Sequence, residues 1–203
     1  MTTSALIRWG GLSALLCGLV GVAGEVVFFL VLGDQPFSVA APTAQWLVIL
    51  IFMMISTTLG LFGLVALYAR QAPNAGKLGF ASFVMAAIGT IMHFGHQWSS
   101  AFVVPVLAGG APDFLEAILA DTTTVLTAGV LLTWFLLALG WLLFGIASLR
   151  ARVVPPGSAW VVMLGAILSL LLSLSDVSLD GLVLYIGLAW MGFWLWSDQR
   201  QAG

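Results

Sequence analysis

QWLVILIFMMISTTLGLFGLVALYAR, residues 45–70, holds one charged residue, and that residue is its last. As an α-helix rising 1.5 Å per residue, a run of this length crosses about 30 Å of hydrocarbon. Continuous helix also satisfies every backbone N–H and C=O without help from water. Comparable runs lie at about 8–32, 78–104, 122–149, 158–176 and 180–197. The chain therefore reads as all-α, a polytopic six-transmembrane-helix bundle forming a single domain over residues 1–203. Composition agrees: hydrophobic residues make up 62% and charged residues 7%, against roughly 45–50% and 25% in soluble proteins. The short segments of alternating polarity that a membrane β-barrel needs are absent from the sequence.

Charge sets the expected orientation. Arg8, Arg70, Lys77, Arg150, Arg152 and Arg200 all fall at one set of helix ends. Asp34, Asp113, Glu116 and Asp180 fall at the other, with Asp121 and Asp176 at its edge. The positive-inside rule then places both termini in the cytoplasm. Trp9, Trp160, Trp194 and Trp196 sit near the inner ends and Trp46 and Trp98 near the outer ends, as an aromatic belt requires. The first apolar run continues to Val31 with only Glu25 interrupting it, which is longer than a signal-peptide core, so a retained helix is expected. Cys17 has no second cysteine to pair with and reads as a small packing residue. A net charge of −2, with its basic part next to the membrane, does not suggest nucleic acid; anionic lipid headgroups suit those cations better.

Residues 61–73, LFGLVALYARQAP, match residues 143–155, LFGIASLRARVVP, at seven of thirteen positions. Each stretch ends an inward-running helix with an arginine and then a proline. The match points to a parallel internal repeat of helices 2–3 and 4–5, unlike the inverted repeats of many transporters. Pro112, Asp113 and Glu116 suit a short interfacial helix with acids at its positive end, read here as a connector.

Three stripes of small residues run from the basic end toward the acidic end: Gly11, Ala14, Gly18, Gly21, Glu25; then Ser82, Ala86, Gly89, His93, His96, Ser100; and Gly165, Ser169, Ser173, Asp176. Small residues let helices approach closely in lipid. Each stripe turns ionisable near its outer end. Counting along the helices puts Glu25, His93 and Asp176 at roughly 25, 23 and 27 Å, one common layer. Thr122, Thr123, Thr124 and Thr127 are expected to enter it too. Ionisable groups at that depth face the bundle interior, so an outer-leaflet polar pocket is expected around Glu25, His93, His96, Gln97, Trp98 and Asp176, with Phe94 and Phe102 as further walls.

The favoured reading is a non-catalytic accessory, scaffold or assembly subunit in which these groups lock helices together. The partners are then membrane lipids and a second membrane protein or another copy of the chain. The alternative is binding or transfer of a lipid, a quinone or a metal ion in the pocket. A metal would take His93, His96 and Glu25, since two imidazoles and a carboxylate suit zinc or iron. Haem on a single histidine is a weaker option, and no cofactor at all is the simplest. Ser99 and Ser100 follow the histidines, but no GxSxG turn presents a nucleophile, so no hydrolase is expected. Only Ser56, Thr57 and Thr58 could extend the polar layer inward, too little for a channel.

IRWGGLSALL, LFGLVALYARQA and ALGWLLFGIASLRAR resemble segments of a loose group of small bacterial inner-membrane proteins of unknown function. The resemblance implies a multi-pass protein of the bacterial cytoplasmic membrane. It implies no activity and does not extend to HFGHQW at 93–98.

Overall fold

The computed structural model describes residues 3–33, 35–173, 179 and 181–201, with backbone alone at 199–201. Every regular element among them is helical: α1 (Thr3–Leu32), α2 (Phe37–Ala40), α3 (Ala44–Phe102), α4 (Val104–Gly110), α5 (Pro112–Ala120), α6 (Val125–Ala151), α7 (Pro156–Leu172) and α8 (Leu182–Gln201). Three stretches are long and apolar enough to cross a membrane: α1, Ala44–Gly110 and α6; α7 and α8 are shorter apolar helices. Asp34, Asp176, Asp180 and the Arg200 side chain lie outside the described residues.

The opening stretch forms the first arm of α3, and the helix does not continue straight. At Gly76 the backbone takes φ 57° and ψ −154°, a region open to glycine and strained for other residues. The arms 44–75 and 77–102 fold back on each other there. Tyr68 stacks on Phe83 at 4.4 Å near the turn, and the Trp46 indole donates to the Ser100 carbonyl at 2.8 Å at the far end. Pro73 sits in the last turn of the first arm, its missing N–H three residues before the bend. The sequence separates these arms as 45–69 and 78–104; the structure carries helix through most of the gap.

α1 packs on the first arm of α3 and on α8. The second arm packs on α6, and α7 lies between α6 and α8. The neighbour order thus closes on itself. What brings the helices together is absence of side chain. A Cβ at Gly89 would collide with the backbone of Leu136 and Leu137, and one at Gly140 with the backbone of Met85 and Ala86. The small-residue stripes of α1, α3 and α7 are therefore contact lines, buried at Gly18, Ala86 and Gly165.

The matched stretches 61–73 and 143–155 are built differently. Phe62 is 61% exposed, whereas its counterpart Phe144 is fully buried. Arg70 lies within helix, whereas Arg152 caps α6 in the left-handed conformation at φ 54°. At this basic end Arg70 pairs with Asp198 at 3.3 Å, and the Ser148 hydroxyl donates to Gln71 Oε1 at 2.7 Å.

At the acidic end α2, α4 and α5 form a cap over a second apolar cluster that includes Trp46, Ala108 and Leu115. The short helix expected at Pro112 is α5, with Pro112 and Asp113 in its first turn, and it is tied into this cap. The Ser38 N–H donates to Glu116 Oε1 at 2.9 Å. Hydrogen bonding from Ser38 holds the Glu116 carboxyl below its usual range, and Thr123 does the same for Asp121. The threonines at 122–127 do not join an interior layer. The Thr124 hydroxyl caps α6 by accepting from the Thr127 N–H at 3.2 Å, and Thr123 N–H donates to Asp121 at 2.8 Å. A helix N-terminus needs such acceptors, and that need uses these side chains at the surface.

Two outcomes follow from these contacts. Gly140→Val should lower stability in thermal unfolding in mild detergent by about 1–3 kcal/mol, as overpacking does. Gly129→Ala, where nothing lies within 4 Å, should be neutral or slightly stabilising. Because the folded Glu116 carboxyl is depressed, its bond to Ser38 is present at neutral pH and lost as pH falls below the ordinary value of 4.5. Amide exchange at Ser38 should therefore be faster in Glu116→Gln than in the wild type at pH 7. The difference should shrink as the pH is lowered well below 4.5.

Candidate functional site

Helical spacing decides which polar groups of the second α3 arm meet the interior. Thr90, His93 and Gln97 are three and four residues apart and share one buried face. From the first arm, Thr57 faces them. Its hydroxyl lies 3.0 Å from the Met53 carbonyl and 2.9 Å from Gln97 Oε1. Gln97 Nε2 in turn lies 3.0 Å from His93 Nε2. An amide nitrogen can only donate, so His93 Nε2 accepts and a neutral ring carries its hydrogen on Nδ1. That Nδ1 is buried with no hydrogen-bond partner among the described residues.

Two adjoining chambers meet at this point, and both are lined by Glu25, His93 and Trp134. The inner one, about 30 Å³, takes lining residues from α1, both arms of α3, α6, α7 and α8, including Cys17, Thr57, Thr90, Ser169 and Tyr185. It has room for about one or two waters. The outer one, about 200 Å³, lies under the cap and is walled by Phe28, Phe37, Trp46, Trp134, His96 and Gln97. His93 is 9% exposed and Glu25 4%. Trp134 lies against the His93 ring at 4.9 Å.

The structure thus brings Glu25, His93, His96 and Gln97 to one cavity. It puts Trp98 elsewhere: this residue is 50% exposed, lines neither chamber, and packs on Phe102 at 5.7 Å. Five residues beyond His93, at 100° each, a side chain points well away from the inner face. Asp176 lies outside the described residues. Trp46, read from sequence as a belt residue, is 2% exposed and forms a wall of the outer chamber. The available signal is its register: Trp46, Met53 and Thr57 fall on one face at spacings of seven and four. Trp134 carries a weaker signal: Thr127 lies seven residues before it, but on that face the turns between and just after them are apolar.

The proposed metal ligands are not assembled. Among the described residues no three His, Cys, Asp or Glu side chains group closely enough to hold a metal ion. His93 and His96 are three residues apart, so their rings diverge, with centroids at 6.5 Å, and His93 Nε2 is already engaged by Gln97. A haem, larger than ligands whose pockets start near about 300 Å³, does not fit a 200 Å³ chamber. Comparison with protein-family models, with curated proteins and with solved structures finds no match.

The Thr57–Gln97 contact can be weighed by a double-mutant cycle. Thr57→Val and Gln97→Leu should show a coupling of about 0.6 kcal/mol, and not above about 1.7, as interhelical hydrogen bonds between apolar helices do. Reversible unfolding of the four proteins in mixed micelles measures it.

Proposed function

We propose that the chain is a multi-pass protein of the bacterial cytoplasmic membrane that binds a small molecule in the two-chambered cavity. α1, the two arms of α3, α6, α7 and α8 supply six spans in this reading, with both termini cytoplasmic. The segregation of Arg70, Arg150 and Arg152 from Asp113 and Glu116 supports that orientation. Large apolar side chains on the outer surface, such as Leu30, Phe80 and Ile91, suit contact with lipid. The 17 residues of α7 reach about 26 Å, near the lower limit for a span. The parallel repeat of helices 2–3 and 4–5 belongs to the same proposal and rests on the sequence match alone.

One observation carries the binding reading over the scaffold reading. A layer built only to lock helices has reason to satisfy its polar atoms, whereas here His93 Nδ1 lies buried with no partner among the described residues, beside space that a ligand can occupy. Leaving such a group unmet costs about 1–3 kcal/mol. The aromatic walls and few convergent polar groups match the general composition of small-molecule sites.

Purification in mild detergent followed by native mass spectrometry tests this. The wild type should retain a small non-protein species at about one per chain. His93→Leu and Trp134→Ala should lose it while keeping their helicity and elution volume. A wild type that carries nothing, yet elutes with a fixed protein partner, would establish the scaffold role instead.

A further inference from the structure

α6 and α7 pack antiparallel and touch where a side chain is missing. A Cβ at Gly145 would strike the Met163 side chain and press on the Ala159 carbonyl. Outward of that contact each helix raises a wall. Leu142, Ile146 and Leu149 follow one another at spacings of four and three on α6, and Trp160, Leu164 and Ile167 do the same on α7. Such spacing keeps each set on one helix face. Between the walls lies an open, apolar groove of about 590 Å³. It continues toward the acidic end into a further apolar space of about 220 Å³, which shares Leu142 and Ile167 and reaches Phe135 and Leu171.

This groove has one charged end. Arg150, in the last turn of α6, lines it beside Trp160, and no other described lining residue is charged. Arg150 is exposed and has no ion pair with a described residue, whereas Arg70 at the same end of the bundle is held by Asp198. Trp160 is 62% exposed, and tryptophan is the residue that settles at the headgroup level of a bilayer. From Arg150 the lining follows α6 to Phe135, fifteen residues away and about 22 Å along the axis. On α7 it follows from Trp160 to Leu171, eleven residues and about 16 Å. One leaflet of the hydrocarbon core is about 15 Å deep. The apolar length therefore suits one acyl chain whose head sits at the arginine.

Resting on the membrane reading above but not on the cavity, we infer that this groove holds one anionic phospholipid of the cytoplasmic leaflet. An acyl chain lies between the α6 and α7 walls, and the phosphate meets Arg150. A guanidinium presents paired donors that fit phosphate oxygens, and basic side chains at the cytoplasmic surface attract anionic headgroups. A second copy of the chain is a poorer match. Neither α6 nor α7 contains an Asp or Glu, so a two-fold contact through this face would bring Arg150 no counterion from these helices.

Native mass spectrometry of the full chain in mild detergent tests this, with phosphatidylglycerol and phosphatidylcholine of the same acyl chains added in equal amounts. One phosphatidylglycerol per chain should stay bound after collisional activation strips the rest. It should be favoured over phosphatidylcholine by about five-fold, the contribution of one basic residue at an anionic surface. Arg150→Gln should bring the two lipids level. Lys77→Gln removes a cation from the same end but outside the groove, and should leave the preference in place. Leu164→Trp, at a residue 53% exposed, should fill the groove and lose both lipids while keeping its helicity; it serves as the test if Arg150→Gln does not fold. His93→Leu should keep the lipid, which separates it from any species held in the cavity. Equal retention of the two lipids by the wild type would overturn the groove site. So would an equal loss of preference in Lys77→Gln, unchanged lipid in folded Leu164→Trp, or a lipid-free dimer that Leu164→Trp dissociates. A chain that stays in solution without detergent would overturn the membrane reading as well.

Discussion

Backbone meets backbone where Gly89 lies against Leu136 and Leu137 and Gly140 against Met85 and Ala86, across α3 and α6, and the rest of the architecture depends on that closeness. Apolar helices in lipid gain nothing from hiding apolar surface, because the solvent is apolar too. Attraction between them comes from dispersion over many close atoms, which grows only when nothing holds the backbones apart. Gly165 against Leu184 and Gly18 against Ala189 repeat the solution at other seams. In each case the missing Cβ is what the neighbouring helix occupies.

The same stripes explain where the cavity lies. Along the second arm of α3 the inner face reads Ser82, Ala86, Gly89, Thr90, His93, Gln97. Near the basic end these side chains are small and the helices touch. From Thr90 onward they are long and polar, so the neighbouring helices cannot close on them. α1 follows the same course, from Gly11 and Gly18 to Glu25. Contact gives way to space at the same depth on both helices, and the chambers fill it.

How much of this was legible follows from periodicity. The helical stretches and the small-residue stripes could be read directly, since both depend on local sequence and a period of 3.6. Thr57 as an inward extension, and Glu25 with His93 at one depth, came from the same counting. The counting failed where a residue's role depends on a partner distant in sequence. Trp46 becomes a cavity wall only because the α3 arms fold at Gly76 and bring Ser100 to its indole. Trp134 has a polar neighbour on its face only in Thr127, seven residues earlier, too little to mark it as a cavity wall. The threonines at 122–127 matched the right depth, yet the free N–H groups at the start of α6 took them for capping. His93 and His96 both line the outer chamber, but only the four-residue spacing keeps Gln97 in line with His93 for a hydrogen bond.

Polar groups in such an interior also carry a directional constraint. The Thr57 hydroxyl can give its one hydrogen to Met53 or to Gln97, and Gln97 binds through oxygen on one side and nitrogen on the other. That order leaves the His93 hydrogen on Nδ1, the side away from the network. A leucine at 93 would fill space but take away the acceptor that the Gln97 amide uses; an asparagine or serine would be short enough to bond within its own helix. Histidine is the choice that holds a ring across to Trp134 while its second nitrogen stays available. Its cost falls on stability, which the glycine contacts along the rest of the same stripe can offset, because they lie on the basic side of the cavity and are not interrupted by it.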